Sequence, residues 1–191
     1  MDFNEEFNYK KQSKYIDKPG VYDIYIRTYS LSEENDSYTG SPFIEFLIES
    51  KEGKTSKVRL YRATSSDNDY VRKLKTDRIK EFIADSGANT NLKGKDLLAD
   101  MVDKKVKILM RTREYVGQDE DGKPIVKTVL EYAYSRAEGK EFKNLNETMM
   151  HKELTPKMKE TYESKLKEHN SKNTNQNTDS EPWSETDEAP F

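Results

Sequence analysis

Three stretches of the 191-residue chain interleave aromatic rings with cations at positions of one parity: Tyr25, Arg27 and Tyr29; Lys57, Arg59 and Tyr61; and Lys107, Arg111, Arg113 and Tyr115. Alternate residues of a strand share a face, so each set is presented together if these stretches are strands. Such a face suits an unpaired nucleic acid strand. Cations track its phosphates, and each base stacked on a ring contributes about 1–3 kcal/mol whatever its identity. Exposed strand faces also carry Tyr, Lys and Arg for β-propensity and solubility alone, so the reading rests on all ten residues together. The segment Tyr9-Lys10-Lys11-Gln12-Ser13-Lys14-Tyr15 repeats the mixture, and residues 1–14 read as an N-terminal arm over the same groove.

A second group of residues lies at the C-terminus. Residues 179–191 hold five acids and no base; the other 31 acids face 33 bases, so the chain's net charge of -3 conceals a weakly basic body and an acidic tail. Residues 170–178 contain no apolar side chain. Nothing there offsets the entropy lost on ordering, so this stretch is expected to be a flexible linker. Beyond it come Trp183, the chain's only tryptophan, and Asp187, Glu188, Pro190 and Phe191. Together these read as a partner-docking peptide, its rings entering an apolar pocket while its carboxylates meet Lys or Arg. Tethered near a basic groove, the same acids would compete with nucleic acid and be released when the groove fills.

Other chemistry is missing. The eight glycines are dispersed and none forms a phosphate loop or dinucleotide fingerprint. Zero cysteines exclude disulfides and thiolate chemistry. His151 and His169, the only imidazoles, fall in or beside a C-terminal helix and read as satisfied or solvated rather than catalytic. The run Asp119-Glu120-Asp121-Gly122 is similar to a calcium loop, yet Gly117 stands where the first ligand belongs and Thr128 where the bidentate acid belongs; it reads as a hairpin tip. No enzyme activity, metal or cofactor is expected. Apolar runs fall well short of the ~20 residues that span a bilayer, and the acidic start Met1-Asp2-Phe3-Asn4-Glu5-Glu6 is unlike a signal peptide, so a soluble protein without membrane contact is expected.

With 36% charged and 32% apolar residues, the chain can bury only one modest core. Alternation predicts a strand over 20–29, with Ile24 and Ile26 on one face and Tyr25, Arg27 and Tyr29 on the other. A second covers 43–49, with Ile44, Phe46 and Ile48 together, and a third covers 57–62, with Val58 and Leu60 inward. The period changes to helical over 70–86, with Gly87 placed to end that helix, and a short helix is expected at 95–101. Strand four covers 104–115, with Val106, Ile108 and Met110 inward, and Asp121-Gly122 turns the chain into strand five at 125–134. The predicted architecture is mainly β, a five-stranded OB-fold barrel with one helix between strands three and four, spanning residues 15–150. An extra C-terminal helix lies within 151–169, N-capped by Thr155 with Pro156 in its first turn. Its stripe of Met158, Tyr162 and Leu166 either packs on the barrel or forms a self-association seam. Residues 170–191 complete the chain as linker and disordered acidic tail.

The ending Asp187-Glu188-Ala189-Pro190-Phe191 is similar to the acidic tip, closing in Pro-Phe, of bacterial single-stranded DNA-binding proteins. Pro19-Gly20-Val21-Tyr22, Thr39-Gly40, Leu92-Lys93-Gly94-Lys95 and Glu114-Tyr115 more loosely resemble a set of phage OB-fold proteins. The chain thus resembles phage-encoded single-stranded DNA-binding proteins. That resemblance implies coating of single-stranded DNA during phage replication, recombination or repair in the host cytoplasm. It also implies recruitment of replication or recombination proteins through Pro190 and Phe191, and it leaves homo-oligomerisation open. Two other readings share the residues: a protein-interaction adaptor with an OB-like barrel, and an RNA-binding or strand-annealing protein.

Overall fold

A computed structural model describes residues 13–32 and 40–176; most of the proposed arm, and the tail residues Trp183, Asp187, Glu188, Pro190 and Phe191, lie outside the described residues. The strands are β1 (Gly20–Ser32), β2 (Phe43–Ser50), β3 (Thr55–Tyr61), β4 (Lys105–Gln118), β5 (Pro124–Ala137) and the short β6 (His151–Lys152). The helices are α1 (Asp69–Asp85) and α2 (Gly94–Asp100), both between β3 and β4, then α3 (Glu147–Met150) and α4 (Pro156–Gln176). The fold is mainly β: an open six-stranded sheet ordered β3-β2-β1-β4-β5, with β6 pairing β4. No ladder joins β3 to β5 among the described residues, so the closed barrel expected from the sequence is replaced by an open sheet. The described residues divide into two compact units, one from the stretches up to 112 together with 130–152, the other from 113–129 together with those from 153 on.

In the first unit the strand alternation buries Ile24, Ile26, Ile44, Phe46, Ile48, Val58 and Leu60 on one side of the sheet, joined by Val106, Ile108 and Met110 of β4. Phe82 of α1 drops into this core and is fully buried. Its ring lies 5.2 Å from that of Phe46 and meets Tyr132 edge-on at 5.6 Å. α1 starts where Asn68 accepts a side-chain hydrogen bond from the amide of Val71. Gly87, at φ +67°, follows its end in the left-handed conformation that glycine adopts without strain. Lys75 of the same helix donates to both carboxylate oxygens of Asp67 and to the Ser41 hydroxyl, each at 2.8 Å. These bonds anchor α1 to the loops on either side of the β2–β3 hairpin.

Tyr132 also carries a polar link. Its hydroxyl donates to Ser135 Oγ at 3.1 Å, and Ser135 Oγ donates to Asp85 Oδ2 at 2.6 Å, joining β5 to the end of α1. Burial pushes the Tyr132 phenol up to about 12, against the smaller opposing effect of the Ser135 hydrogen bond. A phenol whose pKa rises on folding stabilises the fold below the unfolded value near 10, and that contribution is lost as pH climbs from there to about 12. The urea midpoint is therefore expected to fall across this window. Tyr22 is shifted in the same direction, chiefly by burial, so the share of Tyr132 is read from the shallower fall of Tyr132→Phe. Parallel curves for the two proteins would contradict the assignment.

The opposite side of the sheet is covered over part of its width. Leu109 and Ala133, which point away from the main core, are buried with Phe142, and Val21, Met149 and Met150 pack against them. Phe142, Met149 and Met150 thus lie over the outer side of β4 and its neighbours, before the chain joins the sheet at β6. At the other edge the chain enters along β3: the Ile16 amide donates to the Thr55 carbonyl at 2.9 Å, and the Thr55 amide to the Lys14 carbonyl at 2.9 Å. Residues 14–16 therefore run along the sheet edge, and of the proposed arm Lys14 is held there.

The second unit holds the outer halves of β4 and β5, their turn, and α4. Asp119 Oδ1 accepts from the amides of Asp121 and Lys123 at 3.1 and 2.8 Å, and Gly122 adopts φ +76°. The acidic run is a side-chain-braced hairpin tip. α4 starts at Pro156, with Thr155 Oγ1 accepting from the Met158 amide at 3.4 Å. Met158, Tyr162, Leu166 and His169 form its half-buried stripe, and His169 Nδ1 is buried without a hydrogen-bond partner among the described residues. The helix continues to Gln176, so residues 170–176, expected in the linker, are helical. No glycine or proline interrupts them, and the Ser171 hydroxyl is absorbed by the Lys167 carbonyl at 2.9 Å.

Candidate nucleic-acid interface

Among the described residues, none of the apolar cluster that covers the outer side of β4 extends over the outer side of β2 and β3 or the part of β1 that pairs with them. The rows of this face follow from the register. Tyr25 stands opposite Glu49, Thr28 opposite Leu47 and Ser30 opposite Glu45. On the other flank of β2, Phe43 faces Tyr61, Glu45 faces Arg59 and Leu47 faces Lys57. Between Ile26 and Thr28 the ladder shifts by one residue, so Arg27 is the extra residue of a β-bulge.

Two units of the same construction occupy this face. In the first, the Arg27 guanidinium lies over the Tyr25 ring, 4.8 Å from its centroid, while its Nε donates to Glu49 Oε2 at 2.7 Å and its Nη1 to Asp103 Oδ1 at 2.9 Å. In the second, the Arg59 guanidinium lies over the Phe43 ring, also at 4.8 Å, and its Nε donates to Glu45 Oε2 at 2.7 Å. Tyr61 meets Phe43 edge-on at 6.2 Å, and Lys57 pairs with Glu45 Oε1 at 2.8 Å. Lys105 closes the first unit, its Nζ 5.5 Å from the Tyr25 centroid and 3.2 Å from Glu138 Oε1. Burial pushes the Glu45 carboxyl up, but hydrogen bonds from Lys57 and Arg59, with their charges, outweigh it and hold the group below its ordinary value. Hydrogen bonds to Glu49 and then Asp103 raise Arg27 further.

Of the ten residues selected from the sequence, Tyr25, Arg27, Lys57, Arg59 and Tyr61 share this face. Tyr29, Lys107 and Arg111 of the same unit do not, and Arg113 and Tyr115 fall in the other unit. The bulge at Arg27 reverses the alternation of β1, so Tyr29, expected outside, stands opposite buried Phe46 and packs on the core; its hydroxyl donates to the Lys95 carbonyl at 3.4 Å. Lys107 and Arg111 have the expected parity but are 8% exposed, on the side of β4 where Phe142, Met149 and Met150 pack against Leu109 between them. Lys107 pairs with Glu141 and lies 4.0 Å from Asp23, and Arg111 binds Glu131 through Nε and Nη2 at 3.0 and 2.8 Å. Arg113 and Tyr115 belong to the second unit, where the Arg113 guanidinium sits 5.9 Å from the Tyr115 centroid.

Phe43, Glu45 and Glu49 do not belong to the Tyr–cation interleaving that marks the other residues of this face. Their signal was present in the strand that carries Ile44, Phe46 and Ile48 inward, since the opposite parity is Phe43, Glu45, Leu47 and Glu49. Among the described residues no three His, Asp or Glu side chains are grouped to hold a metal ion, and no helix is long and apolar enough to cross a membrane. No protein-family model matches the chain, and no curated protein matches it.

Proposed function

We propose that the outer face of β1, β2 and β3 binds single-stranded DNA without reading its sequence. The observation that carries this is the duplicated ring–arginine–glutamate unit, Tyr25–Arg27–Glu49 and Phe43–Arg59–Glu45. A guanidinium backed by a ring and held in place by a carboxylate is a rigid planar surface, and bases stack on such planes. Glu45 and Glu49 are four residues apart on β2, about 13 Å at the rise of a strand. Duplex bases follow one another about every 3.4 Å with their faces already covered, so bases splayed along an unpaired strand are the ligand that uses both units.

The strand order and the position of α1 between β3 and β4 support an OB-like open barrel, a fold whose second and third strands bind oligonucleotides. The C-terminal likeness to single-stranded DNA-binding proteins supports DNA coating in phage replication, recombination or repair, with the tail recruiting partner proteins. The test is anisotropy of labelled oligo(dT) against a duplex of equal length. Saturable binding of oligo(dT), at least about tenfold tighter than the duplex, is expected; equal binding of both removes the reading. Tighter binding of oligo(rU), or faster pairing of complementary strands, assigns the face to RNA or annealing, and no oligonucleotide binding at all assigns it to a protein adaptor.

A further inference from the structure

We infer that this face takes the strand by its base rings and not by its phosphates, with Glu45 and Glu49 keeping its arginines off the backbone. The inference rests on the proposed function. Every cation assigned to the face already holds a carboxylate: Arg27 has Glu49 and Asp103, Lys57 and Arg59 share Glu45, and Lys105 has Glu138. The Glu45 side chain is only 16% exposed, with one oxygen on each of its two cations. A phosphate entering here must displace that carboxylate and leave it beside the newly bound anion. Between the two glutamates, on the same side of β2, lies Leu47, exposed to 37%, flanked by Thr28 and Lys57. An apolar floor between two neutralised planar platforms suits base rings better than a phosphate, since the cation beside it, Lys57, is already paired with Glu45.

Salt dependence separates the two modes, because each phosphate neutralised on a single strand contributes about 0.7 to the slope of log K against log salt. For the full chain, the slope with oligo(dT) is expected to be shallower than about 1.4, fewer than two phosphates, and an abasic strand of equal length to bind at least about tenfold more weakly. Glu45→Gln releases Lys57 and Arg59 together. The slope should then steepen by about 1.4 and affinity at 50 mM salt should rise about tenfold or more. Glu49→Gln leaves Arg27 on Asp103 at 2.9 Å, so its slope should change by less than about 0.7.

Equal binding of abasic and normal strands by the unaltered protein would overturn the inference. So would an unchanged slope or weaker binding in Glu45→Gln. Either result, obtained while oligo(dT) still binds, leaves the single-strand reading intact; failure of every oligonucleotide to bind either protein removes the reading itself.

Discussion

Changing Tyr25 and Phe43 together to Ala should cost the protein roughly 2–6 kcal/mol of affinity for oligo(dT), at about 1–3 kcal/mol for each stacking position removed. That is a loss of about 30-fold at the least. Each ring supports an arginine from below, at 4.8 Å in both units. Without the ring the guanidinium keeps its carboxylate but loses the plane that holds it flat, so the exposed face on which a base would stack is no longer fixed. Both rings are half-buried on the outer side of the sheet and neither belongs to the buried core. The double variant is therefore expected to keep the thermal midpoint of the unaltered protein within a few degrees. A titration with labelled oligo(dT), run beside a melt, checks both halves of the statement. Unchanged affinity in a folded double variant would show that the two platforms are not where the strand lies.

The largest expected effect on stability is that of Phe82→Ala. Phe82 is fully buried, at the centre of a tilted and an edge-on aromatic contact with Phe46 and Tyr132. Truncating a buried phenylalanine costs about 3–5 kcal/mol, the lost transfer energy plus the unfilled cavity. The whole stability of a natural domain is about 5–15 kcal/mol. The sheet depends on this ring more than a closed barrel would, because no ladder joins β3 to β5 among the described residues and α1 supplies the apolar bulk on the core side instead. Urea unfolding should show a lower midpoint at unchanged slope. A loss below about 1 kcal/mol would mean that the neighbouring side chains collapse into the space, and that α1 is not what completes the core.

Much of this architecture was legible in the chain itself. The inward sets Ile24–Ile26, Ile44–Phe46–Ile48, Val58–Leu60 and Val106–Ile108–Met110 are each visible as an alternation, and each is buried. The start of α1 at Asp69, one residue before the expected region and capped by Asn68, and its end before Gly87 are local signals of capping and left-handed conformation, which neighbours in sequence suffice to define. The same holds for Thr155 at the head of α4 and for the Asp119 turn.

The outer face was only half legible. Parity carried from Tyr25 to Tyr29 assumes an unbroken pleat, and a single inserted residue in the ladder cancels it; the bulge at Arg27 is a property of how β1 pairs with β2, not of β1 alone. Lys107 and Arg111 have an alternation indistinguishable from that of Lys57 and Arg59. Which pair faces solvent depends on where Phe142, Met149 and Met150 lie, far along the chain.

What the sequence determined by itself was therefore everything fixed over a few residues: the strand periods, the helix caps, the turns, and the absence of cysteine and phosphate-loop chemistry. The tertiary structure alone decided which cations are already neutralised and by which acids, that the sheet remains open, and that a ring, an arginine and a glutamate come together twice on one face. The physical reason is range. Backbone preference and apolar period act between near neighbours, whereas an ion pair such as Arg27 with Asp103 joins residues 76 positions apart and exists only once the strands between them have found their register.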